Sequence, residues 1–115
     1  MEKNTTDPAK SYEYWLGQKL PEGVKGIHAQ YWQSGHWSKE YIVYIELVAY
    51  PEWKAQLIKQ NHLVLSHQKL EISQDAPKWF KPVKAYKYWQ NPQDTNCQYF
   101  EDSLTGHFFI YEEQF

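Results

Sequence analysis

The groups in this chain that could do chemistry are five histidines, a single cysteine and fourteen acidic side chains. Asp102, Ser103 and His107 sit close together and supply the side-chain types of a hydrolase trio. Their setting argues against that use. Asp102-Ser103-Leu104-Thr105-Gly106 reads as a hairpin loop, a poor frame for holding three side chains rigidly, and no glycine-flanked serine elbow accompanies them. Cys97 with His107 as a nucleophile pair has the same weakness, because nothing in the neighbouring sequence marks a depressed thiol pKa. His62 and His67 are five apart, a spacing that suits neither a helical metal pair nor the alternation of a strand. Glycine is too sparse for a phosphate cradle, since no G-x-G or P-loop spacing occurs. The expectation is therefore a non-enzymatic chain with no catalytic residue, metal or cofactor, a small hydrolase being the weakest alternative. An enzyme would need a polar cleft gathering some of His28, His36, Glu46, His62 and His107.

Composition narrows the partner class. All 12 basic residues are Lys, so the planar fork that reads carboxylate, phosphate or guanine in bidentate fashion is missing. A net charge of −2 points the same way, and no nucleic-acid partner is expected. Charge is uneven: residues 1–87 carry +3, whereas residues 88–115 carry five acids and no lysine. Six Trp, ten Tyr and five Phe are the remaining signal, because large rings stabilise a small core and also build recognition surfaces. Trp37, Tyr86, Tyr88 and Trp89 are the candidate aromatic patch, and Glu101, Asp102, Glu112 and Glu113 the candidate acidic rim for a basic protein partner.

These residues must be positioned by a small set of elements. Asp7-Pro8 is an N-cap followed by proline at the first helical position, and the helix is predicted to run to about Leu16 and stop at Gly17. Two strands follow, over Val24 to Gln33 and Lys39 to Tyr50, joined by the turn 34–38. The second is apolar on both faces, which makes it central and leaves Glu46 in need of a buried partner. Pro51 opens a second helix to about Asn61, with Trp53, Leu57 and Ile58 facing the core. A short strand is expected at Leu70 to Ile72 within a loop. In Asp75-Ala76-Pro77-Lys78-Trp79-Phe80-Lys81-Pro82, two prolines bracket two aromatics, a stiff clamp expected to plug the helix–sheet core edge with Trp79. Strands over Val83 to Trp89, Cys97 to Glu101 and His107 to Glu112 close the chain, with a turn cluster at Asn91 to Asn96.

Three stretches together resemble a recurring class of small, uncharacterised bacterial proteins, often lipid-anchored. They are Trp15-Leu16 before Leu20-Pro21-Glu22; the Ala76-Pro77-Lys78-Trp79-Phe80-Lys81-Pro82 run; and the ending from Tyr99-Phe100-Glu101-Asp102-Ser103-Leu104-Thr105-Gly106 through His107-Phe108-Phe109-Ile110-Tyr111. The resemblance spans most of residues 15–111. It implies an α+β domain with a C-terminal hairpin and supplies no catalytic residues.

The expected architecture is a two-layer α+β fold, an antiparallel sheet of about five strands with two helices on one face. Residues 1–10 are expected as a flexible N-terminal tail and 11–115 as a single domain. The expected function is a non-catalytic protein-binding module of the immunity or inhibitor type, acting by occluding its partner. An envelope-associated accessory domain is the alternative. One cysteine excludes an internal disulfide, and no apolar window is long enough to span a membrane. The N-terminus lacks a signal-peptide core, which reads as cytoplasmic; a periplasmic, lipid-anchored position follows instead if a signal segment has been removed.

Overall fold

A computed structural model describes residues 2–35, 40–68 and 71–115. Helix α1 (Pro8–Leu16) begins as its sequence requires, with the Asp7 carboxylate accepting the Lys10 backbone N–H at 3.2 Å and Pro8 in the first turn. It ends at Gly17, whose φ of 73° lets its N–H reach the Glu13 carbonyl at 2.8 Å. Helix α2 (Pro51–Asn61) starts on Pro51 and is closed by His62 at φ 53°. Trp53 and Leu57 form its buried face, with Ile58 packed beside them.

The sheet is larger than expected. Its strands are β1 (Lys3–Thr5), β2 (Lys25–Gln33), β3 (Tyr41–Val48), β4 (Val64–Leu65), β5 (Lys87–Asn91), β6 (Asp94–Asp102) and β7 (His107–Gln114). All neighbours are antiparallel in the order β1-β2-β3-β7-β6-β5-β4, giving seven strands where about five were predicted. The two additions are the edge strands, three and two residues long. Lys3–Thr5 has no apolar alternation and was expected to be a loose tail. Its pairing with Tyr31–Gln33 is backbone hydrogen bonding, which edge strands can sustain without a buried face. The fourth strand forms at Val64–Leu65. Of the strand expected at 70–72, Leu70 lies outside the described residues, and Ile72 belongs to an irregular stretch. The strand expected from Val83 begins only at Lys87, because Tyr86 N–H turns back to the Val83 carbonyl at 3.0 Å.

Both faces of the sheet are covered, by different means. Tyr12 and Trp15 of α1 and Trp53 and Leu57 of α2 pack with Val43, Ile45, Leu47, Tyr99, Phe108 and Ile110. The two helices therefore share one face, and Trp53 Nε1 donates to the Tyr12 hydroxyl at 2.8 Å to join them. Tyr44, Tyr88, Phe100 and Phe109 point the other way, into a second cluster closed by Phe80. Phe80 meets Tyr44, Phe109 and Phe100 edge-on, at ring separations of 5.2, 5.5 and 6.2 Å. The proline-bracketed clamp is thus a strap across the face opposite the helices, with Phe80 rather than Trp79 as its plug. The two side chains are adjacent on a kinked backbone and point apart. Phe80 is buried, whereas Trp79 stays half-exposed and stacks on His28.

At the C-terminal hairpin, Gly106 has φ +74°, and an added Cβ would lie 2.3 Å from the Ala49 carbonyl oxygen. Only glycine allows this turn to close against the end of β3.

Phe80→Ala is expected to destabilise the fold by about 3–5 kcal/mol, and Trp79→Ala by clearly less, because only the first empties a closed site. Urea unfolding of the two variants decides it; a larger loss for Trp79→Ala would reassign the plug.

Candidate binding groove and the buried carboxylates

Three glutamates are buried, and the residues around them define the polar chemistry of the molecule. Glu46, Glu101 and Glu112 are 8%, 2% and 7% exposed. A buried carboxylate is stable only when its oxygens are satisfied. Glu112, on β7 facing the helices, accepts from Trp15 Nε1 at 2.8 Å, from the Tyr41 hydroxyl at 3.1 Å and from the Tyr99 hydroxyl. Burial, reinforced by the Glu112 charge, raises the phenol pKa of both Tyr99 and Tyr41 above the ordinary value of 10.0. Burial also pushes the nearby Cys97 thiol up to about 12. Glu101, on the same face, accepts from Trp89 Nε1 at 2.9 Å and pairs with Lys54 Nζ at 2.6 Å, tying α2 to β5 and β6.

Glu46 lies on the opposite face, between two imidazoles. His28 Nδ1 is 2.7 Å from one carboxylate oxygen and His107 Nε2 is 2.7 Å from the other. A carboxylate only accepts, so both rings donate; in their neutral forms His28 carries its proton on Nδ1 and His107 on Nε2. The Tyr86 hydroxyl, 3.3 Å from His107 Nδ1, is then the donor of that bond. The His28 ring is half-exposed and stacked 5.1 Å from Trp79. The fold therefore gathers three of the five groups that an enzyme reading would require. The remaining two do not join them: His62 caps α2, and His36 lies outside the described residues. Four cavities on the described surface are lined by other residues than His28, Glu46 and His107. Among the described residues no group of three His, Cys, Asp or Glu side chains is placed to hold a metal ion.

The other candidate pairings are not assembled. Asp102 accepts from Leu104 N–H at 3.1 Å and Thr105 Oγ1 at 3.0 Å, shaping the hairpin, while His107 turns to Glu46. Cys97 belongs to the helix-side core, packed away from the sheet face on which His107 meets Glu46.

The same geometry divides the expected acidic rim, with Asp102 and Glu113 partly exposed and the other two acids buried. Glu101 and Glu112 are internal and already bonded, Asp102 serves its turn, and Glu113 accepts from the Tyr111 hydroxyl. Strand alternation put Glu101 and Glu112 on the face that the helices cover, which a count of charges along the chain cannot reveal. The aromatic patch also divides. Trp37 lies outside the described residues. Trp89 faces Glu101 on the helix side, whereas Tyr88 is buried against Phe100 at a ring separation of 4.9 Å on the other.

Tyr86 and Tyr88 nevertheless line a concave site. A groove of about 840 Å³ follows the sheet edge at β4 and β5, bounded by Leu65, His67, Gln68, Lys84, Tyr86 and Lys87, with Ser66 and Tyr88 at its floor. Its volume falls within the range of ligand-binding sites. Lys84, Lys87 and His67 are exposed, and among the described residues none of them forms an ion pair. Tyr86 and Tyr88 were expected as binding residues, whereas Lys84, Lys87 and His67 were not. The Lys84-Ala85-Tyr86-Lys87-Tyr88 alternation was the available signal, but Leu65 and His67 reach the site only through the β4–β5 pairing.

Because folding raises the Tyr99 and Tyr41 pKa values above 10.0, their contribution to stability is complete below pH 10 and is lost as pH rises further. In an alkaline titration followed at the tyrosinate absorbance, some tyrosines should ionise only together with loss of circular dichroism. Smooth ionisation of all ten with the fold intact would contradict this. Cys97 should resist an aromatic disulfide reagent at pH 8 until denaturant is added; rapid labelling of the native chain would show the thiol to be accessible.

Comparison of the chain with protein-family models, with curated proteins and with solved structures finds no match.

Proposed function

We propose that this chain is a non-catalytic protein-binding module that occludes a partner through the groove at the β4–β5 edge. The observation that carries this reading is a pair of lysines, Lys84 and Lys87, which form no ion pair among the described residues, around a concave site that also holds His67, Tyr86 and Leu65. Apolar and aromatic contact supplies affinity in such a site, and charge at its margin supplies selectivity and association rate. The partner is then acidic where it docks, opposite in sign to the partner expected from the C-terminal acids. Those acids stabilise the fold, and the cations remain available.

Immobilised protein exposed to lysate of the native cell tests this when three forms are compared. The wild type and a remote control, Lys10→Glu with Lys19→Glu, should retain the same partner band. Lys84→Glu with Lys87→Glu should lose it by about tenfold or more, as expected for charge reversal at an interface. Equal capture by all three forms would refute the groove as the docking site.

A further inference from the structure

We infer that the cleft between α1 and α2 binds a neutral sugar ring. This cleft shares no lining residue with the β4–β5 groove, and the inference does not depend on the reading of that groove. It encloses about 240 Å³, less than a drug-sized pocket and in keeping with a ligand of one pyranose ring. Trp53, Gln56, Leu57, Gln60 and Asn61 recur at the spacing of one helical face, so α2 carries all five into the cleft. Glu52, Lys54 and Lys59 of the same helix fall outside it, and among the described residues its lining holds no charged side chain.

The polar groups that remain are amides and a buried hydroxyl. Gln18, just beyond α1, joins Gln56 and Gln60, and among the described residues these three carboxamides have no hydrogen-bond partner. Asn61 is held in place by donating from Nδ2 to the Leu57 carbonyl at 2.9 Å, which leaves its amide oxygen as an acceptor. Tyr12 is only 3% exposed, and its oxygen accepts from Trp53 Nε1 at 2.8 Å. Its own proton meets no acceptor among the described residues, and burial raises its pKa above 10.0, so it stays a donor at neutral pH. At the rim, the Tyr50 ring rests against Gly23, where an added Cβ would come within 3.3 Å of it.

This combination selects one ligand chemistry. A sugar hydroxyl both donates and accepts, and a carboxamide offers a donor and an acceptor side by side, so the two match without charge. The C–H face of the ring has Tyr50 and Trp53 to lie against. An anion would find no cation in the lining, a cation no carboxylate, and an apolar ligand would leave the Tyr12 hydroxyl unsatisfied.

The full chain, labelled for NMR, is titrated with the methyl glycosides of glucose, galactose, mannose and N-acetylglucosamine. Parallel titrations use glucuronate, glucosamine and a blocked triglycine. At least one neutral glycoside should shift the Trp53 indole N–H saturably, with a Kd of about 1 mM as expected for so small a ligand. Glucuronate and glucosamine should bind at least about tenfold more weakly than that glycoside. Gln56→Ala with Gln60→Ala, two exposed positions where alanine favours the helix, should weaken binding by about tenfold, as should Tyr12→Phe. Lys84→Glu with Lys87→Glu should leave it unchanged, which separates this site from the groove. No saturable shift with any glycoside would overturn the inference, and so would undiminished binding by the Gln56→Ala, Gln60→Ala variant. Equal binding of the charged sugars would overturn selection for a neutral ring, and tighter binding of triglycine would replace the sugar by a peptide.

Discussion

The pairing of β3 with β7 is the constraint on which the rest of the molecule depends. It joins Tyr41–Val48 to His107–Gln114 across more than half the chain, through eight register pairs from Tyr41 with Gln114 to Val48 with His107. Both strands are apolar on both faces, so placing them at the centre of the sheet creates two surfaces that must leave water. One is covered by α1 and α2. The other receives no helix, and the chain meets it with an irregular strap whose ring, Phe80, is set among Tyr44, Phe100 and Phe109. The prolines around that ring suit the task, because a segment with few regular hydrogen bonds benefits from backbone freedom already removed before folding.

Burying both faces also buries acids. Glu46, Glu101 and Glu112 each sit on a strand at a position that alternation turns inward, and each is satisfied by side chains from a remote part of the chain. Trp15 to Glu112 spans α1 and β7, Lys54 to Glu101 spans α2 and β6, and His28 and His107 meet over Glu46 from β2 and β7. These bonds make the packing directional: a sliding or rotated helix would leave a carboxylate unpaired in an apolar setting, at a cost of the order of 1–3 kcal/mol or more. The tryptophans and tyrosines are thus donors as well as bulk. That dual use explains how a chain with a mean hydropathy of −0.82 fills two cores.

The internal use of acids determines which charges are left on the surface. Residues 88–115 carry a charge of −5, yet much of that charge is consumed by Trp15, Tyr41, Tyr99, Trp89, Lys54 and the hairpin turn. The lysines of the strand-β5 region stay outside. Where β4 ends, the sheet edge therefore presents Lys84, Lys87, Tyr86 and Leu65 together, through the same packing that hides the glutamates.

Much of the fold was legible from residues alone, wherever a local rule decided the outcome. Asp7-Pro8 and Gly17 bounded α1, Pro51 opened α2, and the Tyr41–Val48 run with its two apolar faces marked the central strand, because capping, proline geometry and alternation act within a few residues. The sequence also established that no disulfide joins the chain and that no arginine is present to recognise phosphate or guanine. The edge strands escaped it, since Lys3–Thr5 and Val64–Leu65 are held by a neighbour's backbone rather than by a pattern of their own. So did the direction of Phe80 and Trp79, adjacent residues that point to a core and to a histidine. Only the tertiary structure decided which acids were buried, which histidines met over Glu46, and that Tyr86 joined Leu65, His67 and two lysines at one edge. These are outcomes of strand register between segments far apart in sequence, and register is selected by the joint burial of whole faces, to which no single segment holds the key.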